Sequence, residues 1–444
     1  LMGDFERAEP LYQQCKEIRS AALGEQHPAY ANVLNNLGTL YRDQGKYALA
    51  RTFLTESLEA HRAAYGNNHT IVATSLNNLA LLHQKRKEVE SAKKLYAEAS
   101  KIVKEKLGSE HPRYADILIN QGNLNEMEGL TQEAEEDFLA ALRIREKVFG
   151  GQHPDYAATL LRLATFYSDT GKYNQAKDYS RDAILLQRRQ LDRNAIAQSA
   201  RQQLANQRQL RPYLDFRLTD AVEGRIHPAI AAEEMWQWKG SVTRRQKAYR
   251  LISNTPSLKP LYIELQSVTQ QLSALARKTP PPPSENQQDK GAREKWEKTF
   301  DRLSQRREQL EREIAAQSDT FKRITDPITV QTVQSLLAPK TVFVDILKYS
   351  HRTSQKNVRG SDKGDTRFLA FVIPKQGEAS VVPLGDAAQL RDSIEQFRRS
   401  FQGKPLTGKE RLLSQNASQL IRRDFWQPVE EHLVDADTVL ISSD

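Results

Sequence analysis

The chain is 444 residues long, enough for two or three domains, and its net charge is +9 at pH 7. No apolar run is long enough to cross a bilayer, which excludes a membrane-spanning protein. The single cysteine, Cys15, excludes an internal disulfide framework and a metal site built from cysteines.

The positive charge allows two interpretations. The basic residues could contact nucleic acid, or they could lie on solvated helix faces. Lys and Arg are interleaved with Asp, Glu and Gln, which favours solvated faces over a nucleic-acid partner. No signal peptide is visible and cysteine is scarce, so we expect a cytoplasmic protein with no membrane partner.

One sequence pattern recurs every 42 residues over the first part of the chain. Four columns of this period carry it: His27, His69, His111 and His153; Gly24, Gly66, Gly108 and Gly150; Ala50, Ala92, Ala134 and Ala176; and Gly45, Gly129 and Gly171, with Lys87 in the gap. Aligned columns at one fixed period predict an α-solenoid of helical hairpins over residues 1–190. Residues 4–22 align with the second helix of a hairpin, so we expect the first repeat to be truncated.

Each repeat is predicted to contain a helix A, a tight turn and a helix B. Helix A of the second hairpin runs from Ala29 to Gln44 and ends at Gly45, which tolerates positive φ. One column holds small residues that let helix B approach closely: Gly38, Ala80, Gly122 and Ala164. The repeated histidines are too far apart to share a metal ion, and we interpret them as helix-entry residues.

The motifs Leu34–Gly38 and Leu76–Ala80, with Gly-Lys-Tyr at 45–47 and 171–173, resemble tetratricopeptide repeats of the kinesin-light-chain type. This resemblance implies a concave groove, lined by the A helices, that binds a protein or peptide. By column, the implied groove residues are Asn32, Asn35, Thr39, Arg42, Thr74, Asn77, Gln84, Lys85 and Asn123. Further lining positions are Asp43, Leu81, Asp116, Ile119, Glu126 and Met127.

Two roles are open for the groove asparagines. The side-chain amide of Asn35 or Asn77 could pair with both the N–H and the C=O of an extended peptide. The same amides could instead complete hydrogen bonds between neighbouring helices.

Residues 191–335 are predicted to form a helical spacer. We expect a long helix over Gln190–Arg211, another over Pro228–Lys239, and two heptad-like helices around 261–275 and 300–321. The two heptad-like helices favour an antiparallel hairpin over an intermolecular coiled coil. The run Pro280–Pro283 between them is predicted to be a stiff spacer rather than a docking site for a proline-recognising domain.

The last part, residues 336–444, changes to an α/β pattern. Strands are predicted at Thr341–Leu347, Arg367–Ile373, Ser380–Gly385 and Thr438–Ser442, with helices over Ala387–Phe401 and Gly408–Leu433. This order predicts a helix-covered α/β sheet.

The α/β pattern resembles the N-terminal part of a CHAT domain, a caspase-like peptidase family often found behind tetratricopeptide repeats. The residues that carry the resemblance are Trp238-Lys239-Gly240, Val342–Leu347 with Tyr349, Arg367–Ile373, Val382–Gly385, Trp426-Gln427-Pro428 and Val439–Asp444. The resemblance implies a partial caspase-like fold and peptide cleavage by a Cys/His pair. Neither member of that pair maps onto this sequence, so we expect no catalytic residue here and no activity from this chain.

The sequence therefore predicts a protein-interaction module fused to a truncated CHAT-like domain. The alternative is a non-enzymatic scaffold or cargo adaptor of the kinesin-light-chain type. Neither hypothesis requires a cofactor or a metal site.

Overall fold

The computed structural model describes residues 5–151, 153–195, 210–239, 241–276, 287–318, 326–351, 365–399, 416, 418–433 and 435–443. The chain divides into two compact units, Leu1–Leu163 and Ala164–Asp444. The boundaries that the sequence suggests at residues 190 and 335 stay predictions.

Within the described residues, nine consecutive helices form a helical solenoid. Their bounds are α1 Phe5–Leu23, α2 Pro28–Asp43, α3 Tyr47–Tyr65, α4 Thr70–Lys85, α5 Val89–Leu107, α6 Pro112–Met127, α7 Thr131–Phe149, α8 Pro154–Asp169 and α9 Tyr173–Ala195. The even-numbered helices are the A helices of the repeats, and the odd-numbered helices are the B helices. The predicted bounds of helix A in the second hairpin differ from those of α2 by one residue at each end.

The repeated histidines begin the A helices by capping them. Nδ1 of His27 accepts the backbone N–H of Ala29 at 3.1 Å, and His69 caps Ile71 in the same way at 3.2 Å. This hydrogen bond satisfies one of the donors that a helix N-terminus leaves unpaired. The interpretation of these histidines as helix-entry residues is therefore confirmed.

The column of small residues lies where the A and B helices of a repeat approach each other closely. A Cβ atom added at Gly38 would lie 2.6 Å from Cγ of Leu54, and one added at Gly122 would lie 2.7 Å from Cε1 of Phe138. Both distances are shorter than a van der Waals contact allows, so glycine lets α3 and α7 approach the preceding A helices. The predicted role of the column is confirmed at these two positions.

The helices that follow the solenoid belong to the second unit. They are α10 Arg211–Val222, α11 Pro228–Trp238, α12 Ser241–Asn254, α13 Lys259–Ala276, α14 Gln287–Gln317 and α15 Val330–Leu336. The long helix predicted over Gln190–Arg211 is wrong at its ends, since α9 extends to Ala195 and α10 begins at Arg211; residues 196–209 lie outside the described part.

Helices α13 and α14 form the predicted antiparallel hairpin. Nε1 of Trp296 donates to the carbonyl of Leu275, and Arg306 pairs with Glu264 at 2.7 Å. The partner on α13 moves backward as the chain advances along α14, which is the antiparallel direction. The prolines at 280–283 lie outside the described residues.

Helix α10 is buried on all sides and carries paired charges. Arg217, which is 3 % exposed, binds both carboxylate oxygens of Glu234 on α11 at 2.9 Å. Asp215 pairs with Arg211 at 2.9 Å. Buried charges are tolerated only when they are paired in this way, and the Arg217–Glu234 contact joins α10 to α11.

The connection between α10 and α11 repeats the entry motif of the solenoid. Gly224 has a φ of 72°, and Nδ1 of His227 accepts the N–H of Ala229 at 3.2 Å. The 42-residue period does not predict this connection, because the chain from His153 to His227 is longer than one period.

The α/β part contains a four-stranded sheet in the order β3-β2-β1-β4. The strands are β1 Thr341–His351, β2 Asp365–Pro374, β3 Ser380–Asp386 and β4 Thr438–Ser443. Strand β2 is antiparallel to both β1 and β3, with Val344 opposite Val372, and β4 is parallel to β1. The four predicted strands are confirmed, although β1 extends four residues beyond Leu347.

Helix α16 covers Ala387–Arg399, close to its predicted bounds. The helix predicted over Gly408–Leu433 is helical at residues 416 and 418–430 and ends three residues before Leu433. A π-helical turn at Arg422–Trp426 lies within it, followed by a last helical turn, α17, at Gln427–Glu430. Pro428 supplies no N–H for the carbonyl four residues earlier, and this missing donor is compatible with the change of helix type.

Candidate functional site

The candidate site lies on the A helices of the first unit. We call the surface formed by the solvent-facing side chains of α2, α4 and α6 the A-helix face. Most of the implied groove residues are partly or fully exposed on it, including Asn32, Asn35, Thr74, Asn77 and Lys85.

Hydrogen bonds between asparagines join neighbouring A helices across this face. Nδ2 of Asn78 donates to Oδ1 of Asn35 at 3.0 Å, and Nδ2 of Asn120 donates to Oδ1 of Asn77 at 2.9 Å. We call these two pairs the Asn rungs. The rungs realise the second role considered for Asn35 and Asn77, that of bonding neighbouring helices.

Each Asn rung engages one NH2 group and one carbonyl oxygen of its two amides, and it leaves the other NH2 group and the other carbonyl oxygen unused. Among the described residues, no protein group bonds to Nδ2 of Asn35 or Asn77, or to Oδ1 of Asn78 or Asn120. A rung therefore presents one amide donor and one carbonyl acceptor to a ligand. The structural role and the proposed binding role are compatible, because they use different atoms.

Several other candidates make local contacts. The hydroxyls of Thr39 and Thr74 donate to carbonyls of their own helices, those of Asn35 and Thr70. Nε and Nη2 of Arg42 donate to Asp43, while Nη1 is buried without a partner among the described residues.

Asn32 lies beside a buried histidine. Nε2 of His61 is 3.2 Å from Oδ1 of Asn32, and Nδ1 of His61 is 2.8 Å from the hydroxyl of Ser75. His61 is 2 % exposed, and this burial lowers its pKa. Its neutral ring therefore connects α3 to the A helices on both sides.

Gln84 is the candidate that the structure removes from the surface. Its side chain is buried at 7 % exposure, its Oε1 accepts the hydroxyl of Tyr96 at 2.8 Å, and its Nε2 lies 3.6 Å from Sδ of Met127. A side chain held between two repeats in this way cannot contact a ligand in the groove. The prediction for Gln84 is therefore wrong, because its amide turns into the stack towards Tyr96 and Met127, although Arg42 and Glu126 in the same column are only partly buried.

Asn123 contacts an arginine of the next A helix. Nε of Arg162 on α8 donates to Oδ1 of Asn123 at 2.5 Å, and Nη2 bonds to Glu126. The guanidinium also lies 4.3 Å from the centre of the Phe138 ring. Arg162 thus replaces the asparagine of a rung at this junction.

Sequence reasoning missed the residues that complete the rungs. Asn78, Asn120 and Arg162 share one column of the 42-residue period, directly after the column of Asn35 and Asn77. A comparison of adjacent columns, rather than single columns, could have found them.

A second polar cluster lies in the α/β part. Asp345 on β1 is fully buried; Trp236 donates to its Oδ2 at 2.9 Å and Lys239 to its Oδ1 at 2.7 Å. At the end of β1, the hydroxyl of Tyr349 is 3.0 Å from Nδ1 of His351, and burial lowers the pKa of His351. Residues 164–444 contain no cysteine, so no thiol is available to His351 there.

The described residues contain neither a membrane-spanning helix nor a cluster of metal-ligating side chains. No helix among the described residues has both the length and the apolar composition needed to cross a membrane. In the same part of the chain, no group of His, Cys, Asp and Glu side chains is arranged to hold a metal ion.

The family described as tetratricopeptide repeat matches residues 1–63, 34–105, 71–136 and 115–189. Residues 1–189 are therefore similar to tetratricopeptide repeats throughout. The fold and the capped hairpins described above agree with this assignment. Tetratricopeptide repeats imply protein–protein interaction, and the A-helix face is the surface on which the sequence candidates lie.

Similar solved structures cover about two fifths of the chain. BtubC (BKLC) from P. vanneervenii is 27% identical, covers 41% of this chain and 73% of its own, and has a TM-score of 0.36. Two crystal structures of nearly identical TPR-like repeats, assigned to a kinesin light chain of Podosopora anserina, are 22% and 23% identical. They cover 42% of this chain and 89% of their own, with TM-scores of 0.36 and 0.35. No curated protein matches the chain.

Proposed function

We propose that the tetratricopeptide repeats bind an extended segment of a partner protein on the A-helix face. The observation that carries this proposal is the pair of Asn rungs, at Asn35–Asn78 and Asn77–Asn120. An extended backbone alternates N–H and C=O groups, and each rung offers one acceptor and one donor to such groups.

The rungs also hold these groups in place. Each asparagine is fixed by a hydrogen bond to the next helix, so less side-chain entropy is lost when a ligand binds. Preorganised amides therefore favour binding even though each individual hydrogen bond contributes only about 1 kcal/mol net.

Photo-crosslinking in the full chain tests the binding face. A photoreactive amino acid at Thr74, which is exposed on the A-helix face, should capture the partner, whereas one at Lys94 on a B helix should not. The Asn35→Ala, Asn77→Ala double variant should lose capture from Thr74, and Asn67→Ala should retain it, because Asn67 lies in the loop before α4 and belongs to neither rung. Equal capture by the double variant would remove the rungs from the proposal.

A second proposal concerns the α/β part. We propose that residues 195–444 form the N-terminal part of a CHAT-like domain whose complete form cleaves a polypeptide. The order β3-β2-β1-β4 with a parallel β1–β4 pair supports this proposal, as does the Lys239–Asp345 contact between two of the motifs that carry the resemblance.

The coding sequence beyond Asp444 tests the peptidase proposal. A Cys and a His placed after further strands would support it, and their absence over a few hundred codons would leave the scaffold alternative. That alternative, a cargo adaptor of the kinesin-light-chain type in the cytoplasm, needs only the repeats. This chain alone should show no peptidase activity under either proposal.

A further inference from the structure

We infer that the segment bound on the A-helix face is uncharged, so that it is recognised through its backbone rather than through acidic or basic side chains. This inference rests on the proposed function, and it specifies the chemistry of the partner. The argument comes from how charge is distributed over the repeats.

Charged residues are scarcer on α2, α4 and α6 than on the B helices α5 and α7. The charged residues of α2, α4 and α6 are Arg42, Asp43, Lys85, Arg113, Asp116 and Glu126. Helix α5 alone carries more: Glu90, Lys93, Lys94, Glu98, Lys101, Lys104, Glu105 and Lys106. Asparagine is distributed in the opposite way, since it is frequent in α2, α4 and α6 and absent from α3, α5 and α7.

Most of the few charges on the A helices are already neutralised by protein groups. Arg42 pairs with Asp43 at 2.8 Å and Asp116 with Arg145 at 2.6 Å, and Glu126 pairs with Arg162. A charged ligand would have to compete with these internal partners. The paired charges therefore contribute little net electrostatic field at the rungs. A charged ligand side chain would lose its hydration there without gaining an unpaired opposite charge among these residues.

The positions next to the rungs also fit uncharged side chains. Leu81 and Ile119 are partly exposed on α4 and α6, one turn or less from Asn77 and Asn120. A charge placed over these apolar groups would lose water without gaining a counter-ion, whereas an apolar or small polar side chain would not.

A charge-sorted peptide array tests the inference with the full chain. The probes are immobilised random peptides of about ten residues, roughly 33 Å when extended, grouped as acidic, neutral or basic. We expect the neutral group to bind best. The affinity of a selected neutral peptide should change less than about twofold between low and high salt, since no ion pair is screened. Preference for a charged group, or a tenfold loss with salt, would overturn the inference.

Two variants add charge to the rungs without breaking them. In Asn35→Asp and Asn77→Asp, the remaining carboxylate oxygen still accepts from Asn78 or Asn120, while the free NH2 group becomes a negative charge. We expect the double variant to bind the neutral peptides at least tenfold more weakly and to bind basic peptides more tightly than the unchanged chain does. Unchanged selection would contradict the inference.

The array distinguishes failure of the inference from failure of the proposed function. If the chain prefers charged peptides and the Asn35→Ala, Asn77→Ala variant loses that binding, only the inference that the ligand is uncharged is overturned. No binding by any group, or binding that the alanine variant retains, would overturn the proposed function itself. The control is Asn67→Ala, in the exposed loop before α4, which should select the same peptides as the unchanged chain.

Discussion

At the residue scale, the repeats use polar side chains to fix how neighbouring helices stack. His61 connects α3 to Asn32 and Ser75, and Arg145, two repeats on, occupies the same column and binds Asp116 and Thr159. Between them the column holds Val103, which is buried among apolar residues. This column is therefore polar at His61 and Arg145 and apolar at Val103 between them. Each of the two polar side chains contacts polar partners on both neighbouring A helices.

Asp137 is the residue at which pH should affect the repeats. Burial raises the pKa of Asp137 from 3.8 to about 6. A hydrogen bond from Nδ2 of Asn125 at 2.9 Å lowers the pKa, but by less than burial raises it. The folded state holds this proton more tightly than the unfolded state does. The resulting stability is present below about pH 4 and is lost as the pH rises through about 6.

We therefore expect Asp137→Asn to stabilise the protein near neutral pH by about 1 kcal/mol, a figure reduced for the partial exposure of the side chain. The gain should vanish at about pH 4, where both carboxyl and amide are uncharged. Chemical denaturation at the two pH values measures it, with Asp155→Asn on the exposed surface as the control. A gain that is equal at both pH values would contradict the assignment.

Asp345 is the corresponding buried charge of the α/β part. Replacement by Ala leaves Nζ of Lys239 and Nε1 of Trp236 without their acceptor, so we expect a loss of about 3 kcal/mol in the free energy of unfolding of this part. Asp435→Ala, at an exposed position, should change stability little. Urea unfolding followed by tryptophan fluorescence measures the difference, and similar midpoints for the two variants would show that the cluster contributes nothing.

At the scale of elements, the distance between helices A and B is set by single glycines. The column of Gly38 and Gly122 touches Leu54 and Phe138, both fully buried. Small residues could be recognised in the sequence because they recur at one period. The partner of each glycine could not be predicted, because the side chain across the interface changes from repeat to repeat.

Matched substitutions of two helical glycines separate packing from helix propensity. Gly122→Ala places a methyl group 2.7 Å from Phe138, and we expect it to cost about 1–2 kcal/mol through overpacking. Gly291→Ala in α14 meets nothing within 4 Å and should instead stabilise its helix by about 0.5–1 kcal/mol. Thermal unfolding of both variants compares the signs, and stabilisation by Gly122→Ala would contradict the close approach.

At the scale of the whole molecule, the sequence predicted elements better than contacts. The 42-residue period and the strand-length apolar runs identified the A helices, the B helices and all four strands. The ends of helices without a strong sequence signal were predicted wrongly, as at Gln190–Arg211. The burial of Gln84 could not be predicted, because an amide at an A-helix position can face either the stack or the solvent.

The candidate site was predictable in position but not in its chemistry. Periodicity placed Asn35 and Asn77 on the A helices, and both lie there. The rungs depend on the offset between adjacent hairpins, which the pattern of one repeat does not contain. The sequence therefore does not predict the rungs, in which Asn35 and Asn77 bond to neighbouring helices.

The binding face is tested most directly by NMR of the asparagine side chains. In the full chain titrated with an array-selected neutral peptide, the Nδ2 amide signals of Asn35 and Asn77 should shift, and those of Asn67 and Asn68 in the loop before α4 should not. The Asn→Asp variants assign the two rung signals by removing them. Saturating peptide that leaves the Asn35 and Asn77 signals unchanged would contradict binding on the A-helix face.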